Sequence, residues 1–164
     1  MKLTFQDSKA IVAHVNARAE QHGEEQEPAA DIKLILNLPS ERLNDFHPEL
    51  KGMLYFKDTA REGEDLADKG TDAPHFRFQK LALPLKWTDE MVGATLKIHR
   101  SGKPLTLKDV KVNNFSIKPM EGGTLELTLR VQAHPNEEQF GKLSTMIKNE
   151  VRISLEPAED GGVG

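Results

Sequence analysis

The sequence predicts a mainly β fold with a minor helical share: an antiparallel β-sandwich or a partly open barrel carrying two short helical elements. Three observations predict it. The first is the stretch 122–133, where Leu125, Leu127, Leu129, Val131 and Ala133 alternate with Thr124, Glu126, Thr128, Arg130 and Gln132. That two-residue period puts one apolar face on a core and one polar face in water. The second is the recurrence of similar alternating segments, separated by Gly, Pro and Asn clusters that punctuate turns. The third is that apolar residues fall at helical spacing in only two regions, 39–54 and 136–148.

In chain order, Leu3 and Phe5 suggest a short first strand. Ala13, Val15, Ala17 and Ala19 then alternate with His14, Asn16, Arg18 and Glu20. Alanine, arginine and glutamate favour helix, but strict alternation argues for a strand over 13–22. Gly23–Pro28 reads as a charged hairpin loop, and Ile32, Leu34, Leu36 and Leu38 as the returning strand. Ser40 is placed to cap a helical turn holding Leu43 and Phe46. Pro48, which lacks an N–H, interrupts it and opens a second turn with Leu50, Met53 and Leu54 inward. Residues 57–75 contain one large apolar residue, Leu66, and are expected to be a mobile loop.

Phe76, Phe78 and Leu81 lead into Leu83–Trp87, where Pro84 points to an edge strand. Ala94, Leu96 and Ile98 mark the next strand, and Ser101–Pro104 a turn. Leu105 and Leu107 then give way to Val110 and Val112, and these to Phe115 and Ile117. Such one-residue shifts are what β-bulges, or a strand crossing between sheets, produce. Glu121–Gly123 is a hairpin turn. Asn136 caps a helix running to about residue 148, with Phe140, Leu143 and Ile147 on one face. Val151, Ile153 and Leu155 make the last strand. The expected organisation is one β-rich domain, 1–156, and a short acidic, Gly-rich tail, 157–164.

Cysteine is absent from the 164 residues. Disulfides, thiolate metal sites and cysteine catalysis are therefore excluded. The N-terminus lacks an apolar core of the kind secretion signals carry, and no apolar run approaches membrane-spanning length, so a cytoplasmic location and no membrane partner are expected. Charge is uneven. Residues 1–75 carry nine cations against fifteen carboxylates, residues 76–155 thirteen against eight, and the tail from 156 three carboxylates and no cation. A basic half beside an acidic one points to an anionic partner.

No phosphate-binding Gly loop, nucleophile elbow or His-Glu-x-x-His pattern is present, so no enzyme is expected. His14, Glu20 and His22 share one strand face, but eight residues of strand span roughly 26 Å. No metal site and no cofactor follow from that pair. The carboxylates of 57–75 do not match a Ca²⁺ loop. The informative set is basic and aromatic: Lys97, His99, Lys103, Lys111 and Arg130 at outward or turn positions, with Lys86 and Arg77 behind them and Trp87 as a stacking ring. A cationic groove with aromatic platforms is the means by which single-stranded DNA is bound. Against it stand an aromatic share of 5% and a pI near 5.9.

Phe46–Tyr55 (FHPELKGMLY), Val112–Phe115 (VNNF), Glu121–Gly123 and Phe140–Leu143 (FGKL) resemble small proteins encoded by tailed phages and prophages. The resemblance covers most of the chain. It implies a phage setting and carries over no active-site residue. The expected function is a non-enzymatic binding protein of phage DNA metabolism that contacts single-stranded DNA. The alternatives are a protein-interaction module, such as an inhibitor of a host defence factor working through 57–75, and a self-assembling virion component.

Overall fold

Six strands close on themselves into an antiparallel barrel. In chain order they are β1 (Phe5–His22), β2 (Glu25–Pro39), then β6 (Met91–His99), β7 (Leu105–Met120), β8 (Thr124–Ala133) and β9 (Glu150–Glu156). Round the wall the order is β1, β2, β8, β7, β6, β9 and back to β1. A short strand β5 (Leu85–Trp87) lies on β7 beside β6, and β3 (Tyr55–Phe56) pairs with β4 (His75–Phe76) as a separate ribbon. A 3₁₀ turn (Ser40–Asp45) and α1 (Leu50–Leu54) follow β2, and α2 (Glu137–Met146) joins β8 to β9. The computed structural model describes residue 1 and residues 3–56 and 75–159. The mobile loop expected at 57–75 falls outside them, except for His75, which begins β4.

The barrel is filled by the alternation read from the sequence. Leu125, Leu127, Leu129, Val131 and Ala133 of β8 are all buried, and so are their partners Leu38, Leu36, Leu34, Ile32 and Ala30 on β2. Each leucine or isoleucine so buried contributes roughly 1.5–3 kcal/mol. The interior is wholly apolar; Ser40 is the one buried polar residue among those described. Closure comes from β9, which slots between β6 and β1 and so leaves the wall without a free edge there.

Bulges bend the wall. Between Ala94 and Leu96, one residue of β6 faces two of β7, with Asp109 at φ 54°. Between Asn113 and Ser116, two residues of β7 face one of β8, with Asn114 at φ 58°. Both fall where the apolar pattern slips in the sequence. Asp and Asn tolerate the left-handed region because their short polar side chains bond locally. Gly93, at φ 76°, sits in a third bulge, where an added Cβ would come within 3.3 Å of the Ala158 side chain. The start of the acidic tail therefore runs beside β6.

Several expectations are corrected. The first strand is continuous from Phe5 to His22, because a bulge at Ala13 absorbs the break in alternation. Ala17 and Ala19 are exposed, since here β1 pairs with β2 beyond the end of the barrel. The hairpin turn is only Gly23 and Glu24; Glu25–Pro28 belong to β2. Ser40 caps nothing. Its backbone N–H donates to the Gly123 carbonyl (2.8 Å), and its buried hydroxyl has no hydrogen-bond partner. Met53 is 51% exposed, while Leu50 and Leu54 do face inward. The α2 cap forms as expected: the Asn136 side chain accepts from Gln139 N–H (2.8 Å), and the Gln139 side chain accepts from Asn136 N–H (3.0 Å).

Candidate nucleic-acid interface and histidine cluster

Strand register separates the expected DNA-contacting residues into three places. Lys97, His99 and Lys103 lie at the C-terminal end of β6 and in the turn that follows, all exposed. Lys97 pairs with Thr106 of β7, whereas Lys111 pairs with Gln132 of β8, five residues or roughly 16 Å farther along β7. Trp87 pairs with Phe115, nine residues or roughly 30 Å from Thr106. Its ring meets Phe46 edge to face at 5.9 Å, and Phe46 in turn meets Phe115 at 5.5 Å. Trp87 thus packs against the core and lies far from Lys97.

Three cations that the sequence reading passed over join the first group. Register places Lys9 of β1 opposite Arg152 of β9, and Arg152 opposite His99 of β6. The result is a row of two cations and a histidine straight across three adjacent strands, with Lys97 and Lys103 flanking it and Arg100 beside it. Directly opposed side chains sit about 4.5–5.5 Å apart at Cβ, and like charges so placed repel. A shallow cleft here is lined by Asp7, His99, Arg100, Glu150, Val151 and Arg152. Asp7 pairs with Arg152 at 3.5 Å. Arg100 donates to the Thr145 carbonyl of α2 (3.1 Å), and His99 Nε2 meets the Gly102 carbonyl at 3.0 Å. Lys9, Lys97 and Lys103 have no ion pair among the described residues. Alternation around Val151, Ile153 and Leu155 already marks Arg152 as outward; only strand order brings Lys9 and His99 to it.

Lys111 and Arg130 stand in a different setting. Arg130 Nε donates to Asn113 Oδ1 (3.0 Å), and Asn113 Nδ2 lies 3.0 Å from Gln132 Oε1 and 3.1 Å from Glu90 Oε2. Lys111 Nζ is 3.8 Å from Glu90. Gln132 reaches Asp31 (3.4 Å), which accepts from Arg18 Nε at 2.9 Å. Arg18 also pairs with Glu20. This chain of bonds crosses β7, β8, β2 and β1. Beside it, His14, Asp31, Lys33, Asn114 and Arg130 line a cleft of about 280 Å³.

The chain of bonds ends in a histidine–carboxylate cluster. Glu20 Oε2 lies 2.6 Å from His134 Nε2 and 3.3 Å from His22 Nε2, and the three ligand-type atoms fall within 4.8 Å of one another. The hydrogen bond from His134, then that from Arg18, holds the Glu20 carboxyl down at about 2. His134 follows β8 and reaches Glu20 across β2. The intervening outward residue of β2 is Ala29, opposite Arg18 and fully buried; a methyl there lets long side chains fold over the strand. The sequence reading compared His14 with His22 along one strand. The partner of His22 is instead 112 positions away, which no spacing rule reveals. His14 lines the other cleft.

No helix among the described residues is long and apolar enough to cross a membrane. Comparisons with protein-family models, curated proteins and solved structures gave no match.

Proposed function

We propose that this protein is a non-enzymatic binding protein that holds single-stranded DNA by its phosphates, on the face built by β1, β9 and β6. The observation that carries this reading is the row Lys9–Arg152–His99, flanked by Lys97, Arg100 and Lys103. An anionic strand laid along the row relieves the repulsion between neighbouring cations and releases the counterions it held. Trp87 is too distant to stack on a base bound there. The contacts are therefore with the backbone, and the binding is tolerant of sequence. Lys111 and Arg130, already engaged, contribute less than the sequence suggested. Phage DNA metabolism is the setting we propose for this binding, on the sequence resemblance alone.

The test is fluorescence anisotropy with a labelled single strand of about thirty nucleotides across a salt series. For a strand engaging four phosphates, log affinity falls against log salt with a slope of about −3. Absence of binding at low salt would overturn the reading and leave a protein partner as the better account of the exposed cations.

A further inference from the structure

We propose that Glu20, His22 and His134 form a binding site for a divalent transition-metal ion of the Zn²⁺ type, which clasps the projecting end of β1 to the end of β8. The argument rests on ligand chemistry, convergence, orientation and charge. Two imidazoles and one carboxylate are the donor set that borderline ions such as Zn²⁺ take, and Mg²⁺ and Ca²⁺ do not. The three donor atoms already converge, with both histidines aimed through Nε2 at the same oxygen, Glu20 Oε2. An ion with bonds of about 2.0–2.1 Å sets its ligand atoms roughly 3.3 Å apart. The His22–Glu20 separation of 3.3 Å meets that spacing. The His134–Glu20 contact, at 2.6 Å, would have to open by less than about 1 Å to match it.

The carboxylate is oriented for the task. Arg18 holds Oε1, which leaves Oε2 to the histidines, and Arg18 is itself fixed by Asp31 at 2.9 Å. Such outer partners set ligand geometry in metal sites. Charge also balances. Arg18 pairs with Glu20 and Asp31, and Glu27 lies against His22, so three carboxylates stand against one guanidinium and a dication neutralises the cluster. Glu27 Oε2 lies 3.5 Å from His22 Nε2, within reach as a fourth ligand. The histidines are about half exposed, and a cleft of about 240 Å³ lined by Glu20, His134, Asp109, Lys111 and Gln132 opens alongside. The ion has a path in and room for water.

The experiment is calorimetric titration of the tag-free full chain with Zn²⁺ near neutral pH, with Co²⁺ absorption as a second readout. One equivalent binds with a Kd on the order of micromolar, and the imidazole NMR signals of His22 and His134 shift together. His134→Ala and Glu20→Gln each weaken binding at least about 10-fold, while His14→Ala leaves it unchanged. Zn²⁺ raises the melting temperature of the parent chain and not of His134→Ala. Two results overturn the proposal: no saturable binding, or equal binding by the parent and a His134→Ala variant whose circular dichroism shows it folded. Mg²⁺ binding with the same affinity as Zn²⁺ overturns the ligand class.

Discussion

The two halves of the barrel wall treat their polar side chains in opposite ways. On β2, β8 and β7, together with the far half of β1, outward residues bond to each other in one chain from Glu90 to His22. On β6, β9 and the near half of β1, Lys9, Lys97 and Lys103 have no ion pair among the described residues. In the first half, Arg18, Glu20, Asp31 and Arg130 hold strands together. In the second, Arg152 pairs with Asp7, while Lys9, Lys97 and Lys103 stay available to something outside. Net charge cannot make this distinction, because both halves contain acids and bases; which of them touch is decided by register.

The largest effect expected from this contrast is in binding. Charge reversal of Lys9 and Lys97 together should weaken single-stranded DNA on the order of 100-fold at low salt, and flatten the salt slope by about 1.4. Reversing Lys111 and Arg130 should change affinity much less. An equal loss from both pairs, measured by anisotropy, would erase the contrast.

Stability should show the mirror image. Asp31→Ala strands Arg18 Nε and Gln132 Nε2, so urea denaturation should report a loss of about 1–2 kcal/mol. Lys97→Ala, with nothing to strand, should stay within about 0.5 kcal/mol.

A subtler mark is a titration. Hydrogen bonds from His134 and Arg18 depress the Glu20 carboxyl to about 2. A depressed carboxyl stabilises the fold above its unfolded value, near 4.5, and that contribution is lost as pH falls through about 2. Side-chain carboxyl NMR should therefore place the Glu20 midpoint near 2. In His134→Ala, which removes the largest cause, the midpoint should move back toward the usual carboxylate range. A midpoint unmoved by that substitution would remove Glu20–His134 from the chain of bonds.

Local physics was readable in the sequence. The alternation of β8, the slips at Asp109 and Asn114 and the Asn136 cap all depend on residues a few positions apart, and the structure has them where the pattern put them. Barrel closure was not readable, because it requires β9 to pair with both β1 and β6, far away in the chain. How the candidate DNA-contacting residues are distributed was unreadable for the same reason. Lys97, His99 and Lys103 were seen as a group because they are sequence neighbours. Lys9 and Arg152 were missed because 143 positions separate them. Trp87 looked available because exposure cannot be read from a lone aromatic beside an edge-strand proline; Phe46 claims its ring.

The β1–β2 hairpin outruns the barrel. β9 leaves β1 after Ile11, and β8 reaches β2 only from Ala30, so Arg18–His22 and Glu25–Ala29 pair with each other alone. A two-stranded ribbon is marginal in water by itself. Its amide protons should therefore exchange with solvent through a local opening, while those of β8 wait for the whole barrel to unfold. The cross-strand bonds of Arg18 and Glu20 are what couple the two rates. Anything that tightens those bonds slows exchange in the ribbon and leaves the barrel untouched. The molecule thus carries, at one end, a segment whose opening can be tuned without altering the fold beneath it.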